Sequence, residues 1–430
     1  MKKIVTSLFL VASIQGGIFA QANDELKSLI TKSFNYFPRV QELTVASDIS
    51  AQRIELAQRN YLPNLNGGAT YNYINPVSKS RIPTGPGTEN TLQFQPFNNY
   101  NVNITLNQVI YDFGRTAAQV EKAKADLQIA SGNIQSAKIQ LASQVSTIYY
   151  SLIYLNRAII VEDSIINFFT KSRDIIDNRL RRGDALDVDR YTIQATIDQE
   201  KNRKVDFQNL FQKQQTLLEY TTGVVAMPVD TTLYFTIPDN VLSVADMQNN
   251  IDVLQAGRRL ASSQVELKQA QQNIMPSLNM VGSTGFKNGY QPSIDDFRFN
   301  YMVGASLNFP IFQSGKLRQT IEISRLSVQA NEFGKQMAES TFQKDLKQVI
   351  SDMQATEERL QNNITQLQYT AEALKLTNTR YRLGIASYLD LINASSNRQR
   401  ALLNEVQFKY QKCTSAIEWA RLTGLNYWEQ

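Results

Sequence analysis

The sequence predicts a mainly α-helical, internally duplicated chain in which long antiparallel helices continue from amphiphilic β-hairpins. Three observations predict it. The first is a helical seam: Val120, Ala123, Leu127, Ala130, Ile134, Ala137, Leu141, Val145, Ile148, Leu152, Leu155 and Ile159 are all apolar at spacings of three and four. A seam of that period marks a helix packed lengthwise against other helices. No Pro interrupts it from about Arg115 to Arg182, roughly 100 Å of rod at 1.5 Å per residue. The second is a repeat. Gly114 and Gly315, Gly183 and Gly384, and Gly223 and Gly424 are each 201 residues apart (315−114, 384−183, 424−223). Arg179-Leu180-Arg181-Arg182-Gly183 lies over Arg380-Tyr381-Arg382-Leu383-Gly384, and Asp189 over Asp390, so the chain is duplicated rather than built as a solenoid. The third is strand alternation, Tyr100, Val102, Ile104 and Leu106 against Asn99, Asn101, Asn103, Thr105 and Asn107.

In chain order, residues 1–20 read as an export signal. Lys2 and Lys3 precede an apolar run from Ile4 to Ala12, and Ala20 is the cleavage position before Gln21. The run falls short of the ~20 residues a spanning helix needs. The first repeat occupies 21–223, with a helix from Asp24 to Tyr61 that stops at Leu62-Pro63, since Pro disfavours helix in the residue before it. A β-hairpin at 65–110 follows, its strands Leu65 to Tyr73 and Asn99 to Asn107 joined by a turn-rich loop from Asn75 to Pro96. A long helical hairpin fills 114–222. Residues 224–246, with Pro228 and Pro238, break the helices and form a belt segment between the repeats. The second repeat, 247–430, has a helix, a β-hairpin at 278–309 and a helical hairpin at 315–423. Its seam (Ile321, Ser324, Val328, Asn331, Ala338, Phe342, Leu346, Val349, Met353, Leu360) is more polar.

Composition narrows the function. Removing Lys2 and Lys3 takes the formal charge from +5 to +3 (5−2), too mild to argue for nucleic acid. The single cysteine, Cys413, cannot form an internal disulfide, and the absence of His removes the commonest general base and His-dependent metal sites. The reading is therefore not an enzyme, with no cofactor and no metal. Gly315-Lys316 is not a phosphate loop, because Pro310 stands at the first Gly position and Leu317 at the Ser/Thr.

The apolar strand faces allow two readings. A soluble sandwich would bury them, whereas a transmembrane barrel would turn them to lipid, and strands of ~9 to 11 residues with terminal aromatics match the latter. Four strands are too few to enclose a channel, and an open sheet edge cannot sit in lipid. Several chains must then share one barrel. Because the helices run on directly from the strands, closing the barrel arranges the rods into a tube.

The Ile-Tyr-Asp-Phe-Gly-Arg and Ile-Phe-Gln-Ser-Gly-Lys junctions at 110–115 and 311–316, the Arg-Tyr-Arg-Leu-Gly turn, the signal and the twofold repeat resemble the TolC-type outer-membrane efflux protein family. The resemblance covers essentially the whole mature chain. It implies a homotrimer with a 12-stranded β-barrel in the outer-membrane lipid, four strands per chain, and a coiled-coil α-barrel of 12 helices in the periplasm. It also implies docking to a periplasmic adaptor protein and an inner-membrane pump. The tips Arg182-Gly183-Asp184 and Arg382-Leu383-Gly384 would engage the adaptor, and Asp189, Tyr381 and Asp390 would form the periplasmic entrance and its gate. Two departures stand out: Ala386 where the gate network has an arginine, and Asn393 one turn beyond Asp390. Ordinary helix caps are the alternative for both glycines and both aspartates. The implied function is a passive exit duct. The rival is a periplasmic coiled-coil adaptor or scaffold with no pore.

Overall fold

A computed structural model describes residues 24–229, 232–235 and 247–429. The export signal at 1–20 and much of the belt segment lie outside the described residues. The chain forms two compact units, each drawing on both repeats.

One unit, 43–132 with 255–336, holds the sheets. Strands β1 (Asn64–Tyr73), β4 (Asn98–Tyr111), β5 (Ser277–Lys287) and β6 (Arg298–Asn308) form one antiparallel sheet in the order β1-β4-β5-β6. The two hairpins are thus one surface, and β1 and β6 are its free edges. Register aligns the faces across all four strands. Leu65 pairs with Leu106, Ala69 with Val102, Val102 with Phe286, Gly282 with Val303 and Phe286 with Phe299. Between β1 and β4, the expected loop contains a second hairpin, β2 (Lys79–Gly85) with β3 (Thr88–Gln93). The turn-forming composition of 75–96 concealed it: the Gly85–Thr88 turn closes strands whose Pro83 marks a register shift.

The sheet leads into helix. The Asp112 carboxylate accepts hydrogen bonds from the Gly114 amide (3.1 Å) and the Thr116 amide (2.7 Å), satisfying first-turn donors of α3 (Arg115–Leu180). Arg115 Nη2 donates to the Met275 carbonyl at 2.9 Å, tying that junction to the end of the helix α5 (Ile251–Gln272).

The other unit comprises the described parts of 1–42, 133–254 and 337–430. It contains α1 (Asp24–Tyr36), the start of α2 (Pro38–Arg59), the greater part of α3, α4 (Asp187–Thr222), most of α6 (Lys316–Arg382) and α7 (Tyr388–Thr423). The expected single helix from Asp24 to Tyr61 is two, because Pro38 has no amide to continue α1 and instead opens α2. Leu141, Val145, Ile148 and Leu152 of the α3 seam are buried in the core with Leu26 and Ile30 of α1 and Cys413, Ile417 and Trp419 of α7. Tyr427 shares this core and bonds its hydroxyl to Ser146 Oγ at 2.8 Å. Beyond Leu155 the buried series passes through Ala158 and Glu162, and Ile159 is only half-buried.

Candidate functional site

Two features bear on function, the helix tips in one unit and the sheet face in the other. At the tips the backbone must reverse, and both copies do it alike. The Asp184 amide bonds the Arg179 carbonyl and the Gly183 amide bonds the Leu180 carbonyl; Ile385 to Arg380 and Gly384 to Tyr381 repeat the pattern. This is the glycine cap in which the residue after the helix turns left-handed, and Gly183 and Gly384 both have φ of 78°. Arg182 and Asp184 form an exposed ion pair at 3.7 Å. Leu186, Tyr191, Leu383, Ile385 and Leu389 are exposed around the turns, so each tip presents apolar surface.

The predicted gate residues take different positions. Asp390 lies on the surface inside a capping box: its Oδ2 accepts from the Ser387 amide (2.9 Å) and hydroxyl (2.7 Å), while Ser387 Oγ accepts from the Asp390 amide (3.2 Å). The Ser387 hydrogen bonds hold the Asp390 carboxyl below the usual carboxylate range. Asp189, half-buried, occupies the equivalent position on α4 and accepts from the Leu186 amide at 3.4 Å. Tyr381 is buried in a small tip core with Phe169, Ile176, Ile193, Tyr388 and Leu391. Burial pushes its phenol up, opposed by Arg179 and reinforced by Asp189. Tyr388 is shifted up likewise, by burial and then by Tyr381 and Asp189. Ala386 packs against this core and Asn393 is exposed.

Sequence reasoning missed Arg179. From the last turn of α3 its guanidinium stacks over the Tyr381 ring, 4.6 Å to the centroid, and donates through Nη2 to the carbonyls of Tyr381 (2.6 Å) and Arg382 (3.1 Å). One cation thus satisfies terminal carbonyls of α6 and joins the two helix hairpins of one chain. Its only sequence signal was its place in the repeated turn.

On the sheet, the apolar face is bare. Leu65 is 65 % exposed, Ile104 54 %, Phe299 62 %, Tyr301 76 % and Val303 74 %, while Asn99, Asn101, Asn103 and Thr105 on the opposite face of β4 are half-buried. A soluble sandwich would have covered those apolar side chains. Among the described residues no helix is long and apolar enough to cross a membrane.

The outer membrane efflux protein family profile matches residues 36–224 and 243–425, most of both repeats. The chain belongs to that family. Among curated relatives of this outer membrane efflux protein, Nodulation protein T of Rhizobium leguminosarum bv. trifolii is 21 % identical over 409 residues, covering 92 % of this chain and 83 % of the relative. Toxin and drug export protein A of Aggregatibacter actinomycetemcomitans is 22 % identical over 404 residues, covering 90 % and 83 %. The crystal structure of the outer membrane protein VceC from Vibrio cholerae superposes with a TM-score of 0.78 at 15 % identity, covering 93 % of this chain and 96 % of that one, and so shares its fold. The efflux-channel reading of the strand-to-helix junctions and the repeat is thereby upheld.

Proposed function

We propose that three copies of this efflux protein close one barrel and form a passive duct through the outer membrane, with the helix hairpins in the periplasm. The observation that carries this reading is the four-stranded sheet with an apolar face in the open and free edges at β1 and β6. Edge amides left unpaired in hydrocarbon cost several kcal/mol each, roughly, and β6 of one copy against β1 of the next removes that cost. The half-buried residues Asn101 and Asn103 then line a polar lumen.

The tips around Arg182, Gly183, Asp184, Arg382, Leu383 and Gly384 are the docking surface for a periplasmic adaptor, which links the duct to an inner-membrane pump supplying the energy. Exposed Leu383 and Ile385 supply the apolar anchors such a contact needs. Asp189 and Asp390 would set the charge of the entrance. Tyr381 acts through its carbonyl and ring as the seat of Arg179, holding the hairpins together. The test is extraction of the mature protein from outer-membrane fractions in detergent. A heat-modifiable trimer that conducts ions in planar bilayers is expected, and a water-soluble monomer overturns the reading in favour of a pore-less periplasmic scaffold.

A further inference from the structure

The long helices carry a polar layer inside an otherwise apolar seam. On α3 the buried positions run Leu155, Ala158, Glu162, Ile165, Phe169, Ser172 and Ile176, spaced by three and four, so Glu162 holds a core position. On α4 the series Ile193 and Ile197 continues to Glu200, and on α7 Leu391 and Ser395 continue to Gln399. Glu162 is 0 % exposed, Glu200 5 % and Gln399 3 %.

A single amide group serves both acids: Gln399 Nε2 donates to Glu162 Oε2 at 2.8 Å and to Glu200 Oε2 at 2.7 Å. Arg203 Nη1 donates to Glu200 Oε2 at 2.9 Å and stands 4.0 Å from Glu162 Oε1. Glu162 Oε1 is buried and accepts no hydrogen bond among the described residues.

The charges do not balance if both acids ionise. Two carboxylates would face one guanidinium, which is itself 40 % exposed. Neighbouring cations are engaged elsewhere. Lys204 pairs with Asp163 of α3 at 2.6 Å, and Lys201 with Asp198 at 3.2 Å. From α7, Arg398 turns to the Leu367 carbonyl of α6 at 2.6 Å and Arg400 is exposed; α6 also meets α7 here through Asn363, which donates to the Ala401 carbonyl at 3.1 Å. An unpaired carboxylate in such a seam is expensive, and two acids sharing a site resist losing both protons.

We infer that Glu162 retains a proton beneath the Gln399 amide and beside the Glu200 carboxyl, making a buried proton-binding site that clasps α7 to the α3–α4 hairpin. Burial, followed by the hydrogen bond and charge of Glu200, raises the Glu162 carboxyl to about 7. A carboxyl raised on folding adds stability that is full below its unfolded value near 4.5 and is lost as pH rises through the folded value near 7. Above that, the second negative charge works against the clasp. The consequence for the duct, hairpins held together by a proton and loosened by its release, rests on the proposed channel function; the proton site itself does not.

A layer that only fixes helix register would be polar without titrating. The full-length protein in detergent distinguishes the two by infrared difference spectroscopy between about pH 5 and about pH 8.5, a range spanning the raised carboxyl. The expected result is a carboxylic-acid carbonyl band that disappears with a midpoint near 7. The band should be absent in Glu162→Gln and should titrate at least about one pH unit lower in Glu200→Gln, where the neighbouring charge is gone. In parallel, the melting temperature of the wild type should fall relative to Glu162→Gln as pH rises across that window. No such band, an identical band in Glu162→Gln, or parallel melting profiles overturns the inference. Should Glu162→Gln fail to fold, Glu200→Gln with an unshifted midpoint overturns it equally. The mass of the particle in the same sample keeps the two ideas apart: a titrating band in a monomer sinks the channel reading alone, and a trimer without the band sinks the proton site alone.

Discussion

At the scale of single residues, the tip is decided by which cation reaches which carbonyl. Arg179 bonds two terminal carbonyls of α6 and covers the Tyr381 ring. Its removal leaves the Arg382 carbonyl to water, leaves the Tyr381 carbonyl with the Gly384 amide alone and forfeits a cation–π contact, together about 1–3 kcal/mol of local order. Arg179→Ala is expected to speed amide exchange over 379–386 and to raise the open fraction of single channels; Arg179→Lys should restore only part of this, since a compact ammonium does not stack on the Tyr381 ring as the planar guanidinium does. Asp390 poses a separate question, because its carboxylate serves a cap as well as the charge proposed for the entrance. Asp390→Asn retains an oxygen that can accept from Ser387 while removing the charge. Cation selectivity in planar bilayers should fall, and unchanged selectivity would remove Asp390 from the entrance. The Asp390 carboxyl lies below its ordinary value, so the cap's contribution is present above that ordinary value and is lost as pH falls through the lowered one. Acid exchange measured at 387–391 should lose that dependence in the variant. Asp189, Asp390, Gly183 and Gly384 were legible in the sequence because the repeat stacks them. Arg179 was not: a contact across 202 residues of chain depends on which faces of two helices meet, and periodicity is silent on that.

At the scale of elements, the seam of α3 was legible because apolar side chains at three and four spacing must be covered, and Leu141 to Leu155 are covered within the chain. Leu152→Ala, at a position with no exposure, should cost about 2–5 kcal/mol and lower the melting temperature without altering the tips. The same pattern failed two turns later, where Glu162 takes a core position, because a polar core position looks like the end of a seam until its partners on α4 and α7 are known. The break at Pro38 was readable in principle and was outweighed by the helical character on both sides of it. The β2–β3 hairpin was hidden by Pro83 and its short strands. At the turns, Gly384 has φ of 78°, which a β-branched side chain adopts at a cost of roughly 1–2 kcal/mol. Gly384→Val should therefore distort the second tip and weaken capture by the adaptor while trimers persist. Undiminished capture would make that glycine a helix cap and nothing more.

At the scale of the whole molecule, the sheet is the part whose sequence logic runs opposite to that of a soluble protein. Its alternation was visible, but alternation alone fits either a buried face or one turned to lipid. Register and exposure decide: Tyr301, Val303, Phe299 and Ile104 form one continuous face that the chain leaves bare. Substitution by face separates the readings. A lysine on the lipid side near the bilayer midplane costs about 2–4 kcal/mol, whereas the lumen side tolerates charge. Val303→Lys with Tyr301→Lys should abolish heat-modifiable trimers and outer-membrane recovery, while Ser306→Lys, on the polar face one residue from Leu307, should leave both intact. Equal tolerance of lysine on the two faces would mean that neither meets lipid. The helices would then have no barrel to bring neighbouring copies together, and the family fold would be serving this chain in some role other than a duct.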